Sequence, residues 1–281
     1  MKIFVVGSHG YVGRELLKSL RTRNVTVVSV SSRPTLGEYY LDLTQTGSFP
    51  YADIEQGDVI LMTAAVSSPD TCRDRHEYAT VVNVTGASDF IERSIERGAR
   101  IVFFSSDTVY GELTTPFDES AGCSPAGDYA QMKFEVEQRF AANSSFKTIR
   151  LSYVFSCEDK FTQYLLGCVQ RGEEAELFHP FFRSIIHRGD VVDGALALAQ
   201  RWDEFPQQII NFGGPNVLSR IDFIENLKQT CFPGLEYRVI EPDDGFFISR
   251  PRIIAMKSQV LPKLLGRPCR TLKEAALIEC S

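Results

Sequence analysis

The 281-residue chain has a composition suited to a compact globular protein. Hydrophobic residues make up 43% and aromatic residues 11% of it, enough for a substantial core and too much for a disordered chain. Its 30 basic and 36 acidic residues give a formal charge of −6, with no Lys/Arg block, which argues against a nucleic-acid surface. No apolar run reaches membrane-spanning length and no signal-peptide pattern opens the chain, so we expect no membrane association and a cytoplasmic location.

The predicted elements alternate between strands and helices, as in a sheet that is covered on both faces. Predicted strands cover residues 2–6, 25–30, 58–63, 101–105, 147–154 and 208–212. Predicted helices cover residues 14–23, 77–97, 128–142, 161–171, 190–201 and 221–230. This order predicts an α/β protein with a Rossmann-type doubly wound parallel sheet and a smaller C-terminal α/β part. We assign 1–154, with 186–213 returning to it, to cofactor binding, and 155–185 and 214–281 to substrate binding.

The first strand passes into the first helix through the turn GSHGYVG, residues 7–13. Gly7 permits a sharp turn, Gly10 lets the backbone approach a pyrophosphate, and Gly13 lets helix and sheet pack closely. Because this glycine pattern directly follows a strand and opens an amphipathic helix, it predicts a dinucleotide site. The turn residues expected to bind the cofactor are Gly7, His9, Gly10, Tyr11, Val12 and Gly13.

The second strand ends in Val30-Ser31-Ser32-Arg33, and no carboxylate occurs before Glu38. An acidic residue at this strand end usually accepts a hydrogen bond from the ribose 2′-hydroxyl of NAD. Here the Ser32 hydroxyl and the Arg33 guanidinium are suited to a 2′-phosphate, so the sequence favours NADP(H) over NAD(H). Further cofactor contacts are expected from Asp42 and Leu43 near the adenine, and from Thr63, Ala64 and Ala65 after the third strand.

Tyr129 and Lys133 are four residues apart in a predicted helix and therefore share one face. A neighbouring ammonium and an oxidised nicotinamide ring both favour a tyrosinate, which makes Tyr129 a workable acid or base. Ser106 ends the fourth strand at the carboxyl edge of the sheet, where it can hold a substrate oxygen. These three residues predict a hydride-transfer site in which Tyr129 moves the proton.

The cysteines give no sign of a metal site. All seven are widely separated and lack metal-ligand spacing, so we predict no bound metal and expect reduced thiols that fill small apolar spaces. No histidine lies near a cysteine in the sequence, which argues against a catalytic thiolate.

The motifs GSHGYVG, SSDTVYG (105–111) and YAQMK (129–133), in that order, resemble those of the extended short-chain dehydrogenase/reductases that act on nucleotide-activated sugars. Three later segments, RLSYVF (150–155), RSIIHRGDV (183–191) and SRPR (249–252), are most similar to the dTDP-4-dehydrorhamnose reductases. The resemblance implies an NADP(H)-dependent reductase of a nucleotide-activated 4-keto-6-deoxy sugar. It implies catalytic roles for Ser106, Asp107, Tyr129 and Lys133, cofactor contacts for Tyr129 and Lys133, and substrate contacts for Ser67, Ser106, Arg183 and Arg250. It also allows a homodimer.

Two alternatives remain open from the sequence. An NAD-dependent nucleotide-sugar 4-epimerase uses the same scaffold, and Ser106, where the reductases carry Thr, also matches epimerases. A non-catalytic, NADP-binding regulatory subunit also belongs to this superfamily, although Ser106, Tyr129 and Lys133 are all intact. Thr108 stands where a 4,6-dehydratase would place Glu after Asp107, which argues against dehydratase chemistry.

Overall fold

The computed structural model describes residues 1–280. The strands are β1 (Lys2–Val6), β2 (Thr26–Ser31), β3 (Tyr39–Tyr40), β4 (Val59–Met62), β5 (Arg100–Ser106), β6 (Leu113–Phe117), β7 (Phe146–Leu151), β8 (Val154–Phe155), β9 (Ala175–Phe178), β10 (Phe182–Ser184), β11 (Ile186–His187), β12 (Ile209–Phe212), β13 (Val217–Ser219), β14 (Tyr237–Ile240) and β15 (Ile253–Met256). The helices are α1 (Tyr11–Arg21), α2 (Pro69–Asp74), α3 (His76–Thr80), α4 (Ala87–Glu96), α5 (Gly127–Phe140), α6 (Lys160–Arg171), α7 (Arg188–Gln200), α8 (Arg220–Thr230), α9 (Asp244–Phe247), α10 (Leu261–Leu265) and α11 (Leu272–Glu279).

A seven-stranded sheet forms the centre of the molecule, in the order β12-β7-β5-β4-β1-β2-β3. All of its strands pair in parallel; Ile3 of β1, for example, lies opposite Val27 on one side and Val59 on the other. One face packs against α1, α7 and α10 and the other against α4 and α5. The predicted Rossmann-type doubly wound fold is therefore confirmed.

Every predicted strand and helix other than the helix over 77–97 is found, with ends shifted by a few residues. The single helix predicted over 77–97 is instead α3, a π-helical segment over 81–86, and α4. Gly86 ends this segment, where a Cβ atom would overlap the Leu43 carbonyl, so a glycine is required for the close approach of helix and loop. Several short elements were not predicted, among them α2, β6 and β13 to β15, because they are too short to show a hydrophobic period.

A smaller region is built mainly from the second half of the chain. It contains the four-stranded sheet β13-β10-β15-β6 and the strand pairs β11-β8 and β14-β9. Its core packs Leu165, Phe223, Leu227 and Ala276 from α6, α8 and α11. β6 joins this sheet although it comes from the first half of the chain, while β12 adds to the central sheet. Among residues 1–280, no helix combines the length and apolar content needed to cross a membrane.

The expectation that every cysteine is a reduced thiol is wrong for Cys231 and Cys280, which form a disulfide across 49 residues of sequence. Because α8 and α11 pack side by side, their C-terminal ends meet, a proximity that sequence spacing cannot show. Cys157 lies beside this bond, with its Sγ 3.7 Å from the Cys280 Sγ. The remaining cysteines of the described chain are free.

Candidate cofactor and active site

A cavity of about 500 Å³ opens at the carboxyl ends of β1, β2, β4 and β5, the place where ligands bind to doubly wound sheets. Most of the residues predicted to form the site lie in its lining: Gly7, His9, Gly10, Tyr11, Val12, Gly13, Ser32, Asp42, Leu43, Thr63, Ala64, Ala65, Ser67, Tyr129 and Lys133. The lining does not include Arg33, Ser106, Asp107, Arg183 or Arg250. The fold thus brings the glycine turn and the Tyr-Lys pair into one cavity.

The glycine turn is shaped for a ligand backbone that passes close to it. Gly7 has a φ of +87°, and a Cβ atom there would lie 2.7 Å from the Ala64 backbone nitrogen. A Cβ atom on Gly13 would overlap the Gly7 carbonyl, so α1 packs directly against the turn. Since α1 begins at Tyr11, its free N–H groups and positive dipole end meet the cavity, which fits a dinucleotide pyrophosphate.

The part of the cavity at the end of β2 is lined by both polar and apolar residues. Ser31 and Ser32 lie in the lining, whereas the Arg33 side chain is exposed outside it. Leu41 and Leu43 are buried and also belong to the lining, and the Leu41 N–H donates a hydrogen bond to the Ser31 carbonyl at 3.0 Å. Asp42 accepts hydrogen bonds from the Thr44 N–H and hydroxyl, both at 2.8 Å, which lower the pKa of its carboxyl.

Lys133 projects from α5 into the cavity and is only 2% exposed. Its Nζ lies 4.4 Å from the centre of the Phe103 ring and 5.9 Å from that of the Tyr129 ring. Burial lowers the pKa of the Lys133 ammonium to about 8, and the Glu137 carboxylate opposes the shift. The Lys133 ammonium therefore loses its proton more readily than that of a lysine in water, and its protonation responds to any charge that enters the cavity.

Tyr129 lies one helical turn before Lys133 and faces the same cavity. Burial raises the pKa of its phenol, and the nearby Cys72 and Asp107 act in the same direction. The phenol consequently keeps its proton in the cavity as it stands, ready to be donated when a negative charge develops next to it.

The end of β5 carries two serines with different surroundings. The Ser106 Oγ lies 2.9 Å from the Thr108 Oγ1 and 3.4 Å from the Asp107 Oδ1, and it accepts a hydrogen bond from the Thr108 N–H. Ser105 lines the cavity, and its buried Oγ has no hydrogen-bond partner in residues 1–280. Sequence reasoning missed Ser105. The alternation of side chains along a strand, which separates neighbours onto opposite faces, was the available signal.

The two arginines predicted to bind substrate are both engaged with carboxylates. The Arg183 Nε lies 3.7 Å from the buried Asp107 Oδ2, and its Nη1 donates to the Phe182 carbonyl. The Arg250 Nη2 lies 2.5 Å from the Asp70 Oδ2 at the start of α2. Arg183 is buried and Arg250 half-buried. The fold therefore places Arg183 beside the end of β5 and Arg250 beside the segment that follows Ser67.

The doubly wound fold, with Tyr129 and Lys133 in its cavity, is that of the NAD(P)-dependent oxidoreductases of the extended short-chain dehydrogenase/reductase type. The family model for the RmlD substrate binding domain matches residues 1–269. The chain belongs to this family, as the sequence motifs predicted.

Similar proteins include enzymes of sugar metabolism. The chain is 26% identical over 211 residues to the probable low-salt glycan biosynthesis reductase Agl14 of Haloferax volcanii, covering 70% of each protein. It is 27% identical over 207 residues to the dTDP-4-dehydrorhamnose reductase of Burkholderia thailandensis, covering 72% of this chain and 67% of that one. The structure of MoeE5 in complex with UDP-glucuronic acid and NAD superposes with a TM-score of 0.83 at 22% identity, covering 98% of this chain and 96% of that one.

Proposed function

We propose that the protein is an NADP(H)-dependent reductase that converts the ketone of a nucleotide-activated 4-keto-6-deoxy sugar into an alcohol. The observation that carries the proposal is the presence of Tyr129 and Lys133 in one cavity with a glycine turn that fits a dinucleotide. The similarity to the dTDP-4-dehydrorhamnose reductase of Burkholderia thailandensis supports this reaction.

Residues of this chain account for the proton and for the orientation of the substrate. When bound, NADPH supplies a hydride to the ketone carbon. Tyr129 donates its phenolic proton to the ketone oxygen as negative charge develops there, and Ser106 holds that oxygen by a hydrogen bond. The Lys133 ammonium stabilises the resulting tyrosinate until solvent returns the proton.

Further parts of the proposal concern the rest of the molecule. Ser67, Arg183 and Arg250 are proposed to bind the substrate, and Ser32 and Arg33 the 2′-phosphate of the cofactor. Asp107 is proposed to be a catalytic residue together with Ser106, Tyr129 and Lys133. Residues 1–154 and 186–213 are proposed to bind the cofactor, and residues 155–185 and 214–281 the substrate. Ser281 lies outside the described residues. A homodimer and a cytoplasmic location stay predictions.

The test is an activity panel with the purified protein and several nucleotide-linked 4-keto-6-deoxy sugars, following NADPH oxidation by absorbance. The expected result is NADPH consumption with at least one ketone and a faster rate than with NADH. A protein that retains NAD through purification and interconverts 4-hydroxyl epimers would be the alternative epimerase. A protein that binds NADP(H) without turning over any of these sugars would match the regulatory subunit.

A further inference from the structure

The carboxylate of Glu38 lies beside the last residues of β2, although Glu38 is not part of that strand. Glu38 directly precedes β3, and β3 pairs with β2. Its carboxylate accepts hydrogen bonds from the Ser29 hydroxyl at 2.6 Å and the Thr35 N–H at 2.7 Å, and it lies 2.8 Å from the His9 Nε2. Only 9% of the Glu38 side chain is exposed. These hydrogen-bond donors hold the negative charge of Glu38 beside the end of β2. The residues that directly follow β2 in the sequence, Ser32 and Arg33, supply no carboxylate there.

His9 lies between this charge and the cofactor cavity. Because a carboxylate only accepts hydrogen bonds, the His9 Nε2 carries a hydrogen and donates it to Glu38. The other ring nitrogen, Nδ1, lies 3.3 Å from the Ser31 hydroxyl, and both His9 and Ser31 line the cavity. Glu38 therefore fixes the orientation of the ring, with Nδ1 on the side of Ser31 and the cavity.

The position of Ser31 identifies the group that His9 would meet. The end of the second strand in a dinucleotide fold lies at the ribose 2′ position, which carries a hydroxyl in NAD and a phosphate in NADP. A phosphate oxygen accepts hydrogen bonds and carries negative charge. An imidazolium can donate its Nδ1–H to the phosphate, whereas a neutral ring presents a lone pair that repels it.

We propose that His9, in its imidazolium form, recognises the 2′-phosphate of NADP(H), and that Glu38 is the residue that positions it. This inference rests on the proposed use of NADP(H). In this arrangement the His9 charge compensates Glu38, so the carboxylate does not repel the phosphate.

The charged residues on the neighbouring turn, strand and helix are exposed or paired with other residues. Ser29 and Thr35 hydrogen bonds, with His9, lower the pKa of the Glu38 carboxyl to about 2, so it stays ionised at working pH. The Arg33 N–H donates to the Ser31 hydroxyl while its side chain is exposed. In α1, Arg14 is 4.0 Å from Glu158 and Glu15 is 3.3 Å from Arg188.

The experiment measures the affinities of the intact protein for NADP⁺ and NAD⁺ by titration calorimetry between pH 6 and pH 8.5. For the unaltered protein, the preference for NADP⁺ should fall as pH rises, with little change for NAD⁺. His9→Asn should weaken NADP⁺ binding about tenfold at pH 6, as expected for loss of one charged hydrogen bond, and should remove this fall. Since the phosphate of NADP⁺ also titrates near pH 6, the pH dependence is read as the difference from His9→Asn.

Glu38→Gln should weaken NADP⁺ binding at pH 6 and leave NAD⁺ binding within about twofold. Glu55→Gln, a carboxylate at the opposite end of the sheet beside Lys2, is the matched control and should change neither affinity. The proposal is overturned if Glu38→Gln strengthens NADP⁺ binding or if His9→Asn keeps the fall in the preference for NADP⁺ as pH rises. It is also overturned if the protein does not bind NADP⁺. Binding as expected without reduction of any 4-keto sugar would contradict the proposed function alone.

Discussion

Asp107 and Arg183 form a buried ion pair that joins the two regions of the molecule. Asp107 follows β5 of the central sheet, Arg183 lies in β10 of the smaller sheet, and the Arg183 Nε is 3.7 Å from the Asp107 Oδ2. Ser152 donates a further hydrogen bond to Oδ2 at 2.9 Å. Burial raises the pKa of the Asp107 carboxyl and lowers that of the Arg183 guanidinium to about 10, and each charge opposes the shift of the other.

Removing one member of this pair should cost more than removing both. Arg183→Met leaves Asp107 buried without its cation, so we expect a loss of roughly 3 kcal/mol in the free energy of unfolding. The double variant Asp107→Asn/Arg183→Met should recover part of this loss, as measured by urea unfolding. Arg21→Met, at an exposed position, should change stability by less than about 0.5 kcal/mol. Strictly additive single effects would show that the two charges are not coupled.

Tyr129→Phe should abolish turnover and leave cofactor affinity nearly unchanged, because it removes only the proton donor. Steady-state rates and calorimetric titration with NADP⁺ measure the two effects separately. Turnover at the unaltered rate would exclude the assigned proton transfer. Tyr164→Phe, a change in a partly exposed tyrosine outside the cavity, serves as the control and should preserve activity.

Arg33→Asp should shift the cofactor preference from NADP(H) toward NAD(H), because it replaces a cation at the end of β2 by a carboxylate that repels a 2′-phosphate. The ratio of kcat/KM for the two cofactors measures the shift. Arg23→Asp, placed before β2 at the other end of that strand, is the control. An unchanged ratio would remove Arg33 from the cofactor site.

Lys133→Met should inactivate the enzyme and yet stabilise the fold at neutral pH. The folded-state pKa of Lys133 is lowered from 10.5 to about 8. Below pH 8 the lysine is charged in both states and the cost of burying that charge is fully present. Between pH 8 and 10.5 the unfolded state binds more protons, so the unaltered protein gains stability as pH rises.

We therefore expect Lys133→Met to gain roughly 1–3 kcal/mol at pH 7, given about 1.4 kcal/mol for each pKa unit. The gain should shrink toward pH 10, as followed by denaturant unfolding across this range. Lys18→Met, at an exposed position on α1, should show neither effect. A gain that does not vary with pH would mean that packing, and not charge, causes it.

Reduction of the Cys231–Cys280 bond should lower stability, because a crosslink over 49 residues restricts the unfolded chain. The chain-entropy relation gives about 4 kcal/mol as the size of this effect. Calorimetric unfolding with and without dithiothreitol measures it, and Cys231→Ser should reproduce the reduced protein. Cys123→Ser, outside the bond, should leave the sensitivity to reductant intact. Equal unfolding temperatures under both conditions would contradict the prediction.

Local patterns were sufficient to predict six of the seven strands of the central sheet, all except β3, and most of the residues that line the cavity. The glycine turn, the apolar strands and the four-residue spacing of Tyr129 and Lys133 each depend on neighbours in the sequence. Contacts between distant segments were not predictable in this way. Glu38 reaches His9 only because β3 pairs with β2, and Arg250 meets Asp70 across 180 residues. Ser105 was missed because a motif centred on Ser106 does not reveal which face of β5 borders the cavity.

The position of β12 has a consequence for the order in which the protein is made. This strand pairs with the edge of β7 in the central sheet. It is synthesised only after β8 to β11, which belong to the smaller region. Until residue 212 has emerged, β7 carries an open edge of the kind that pairs with foreign strands. A fragment that stops at residue 154 would lack β12 and would leave this edge of β7 unpaired.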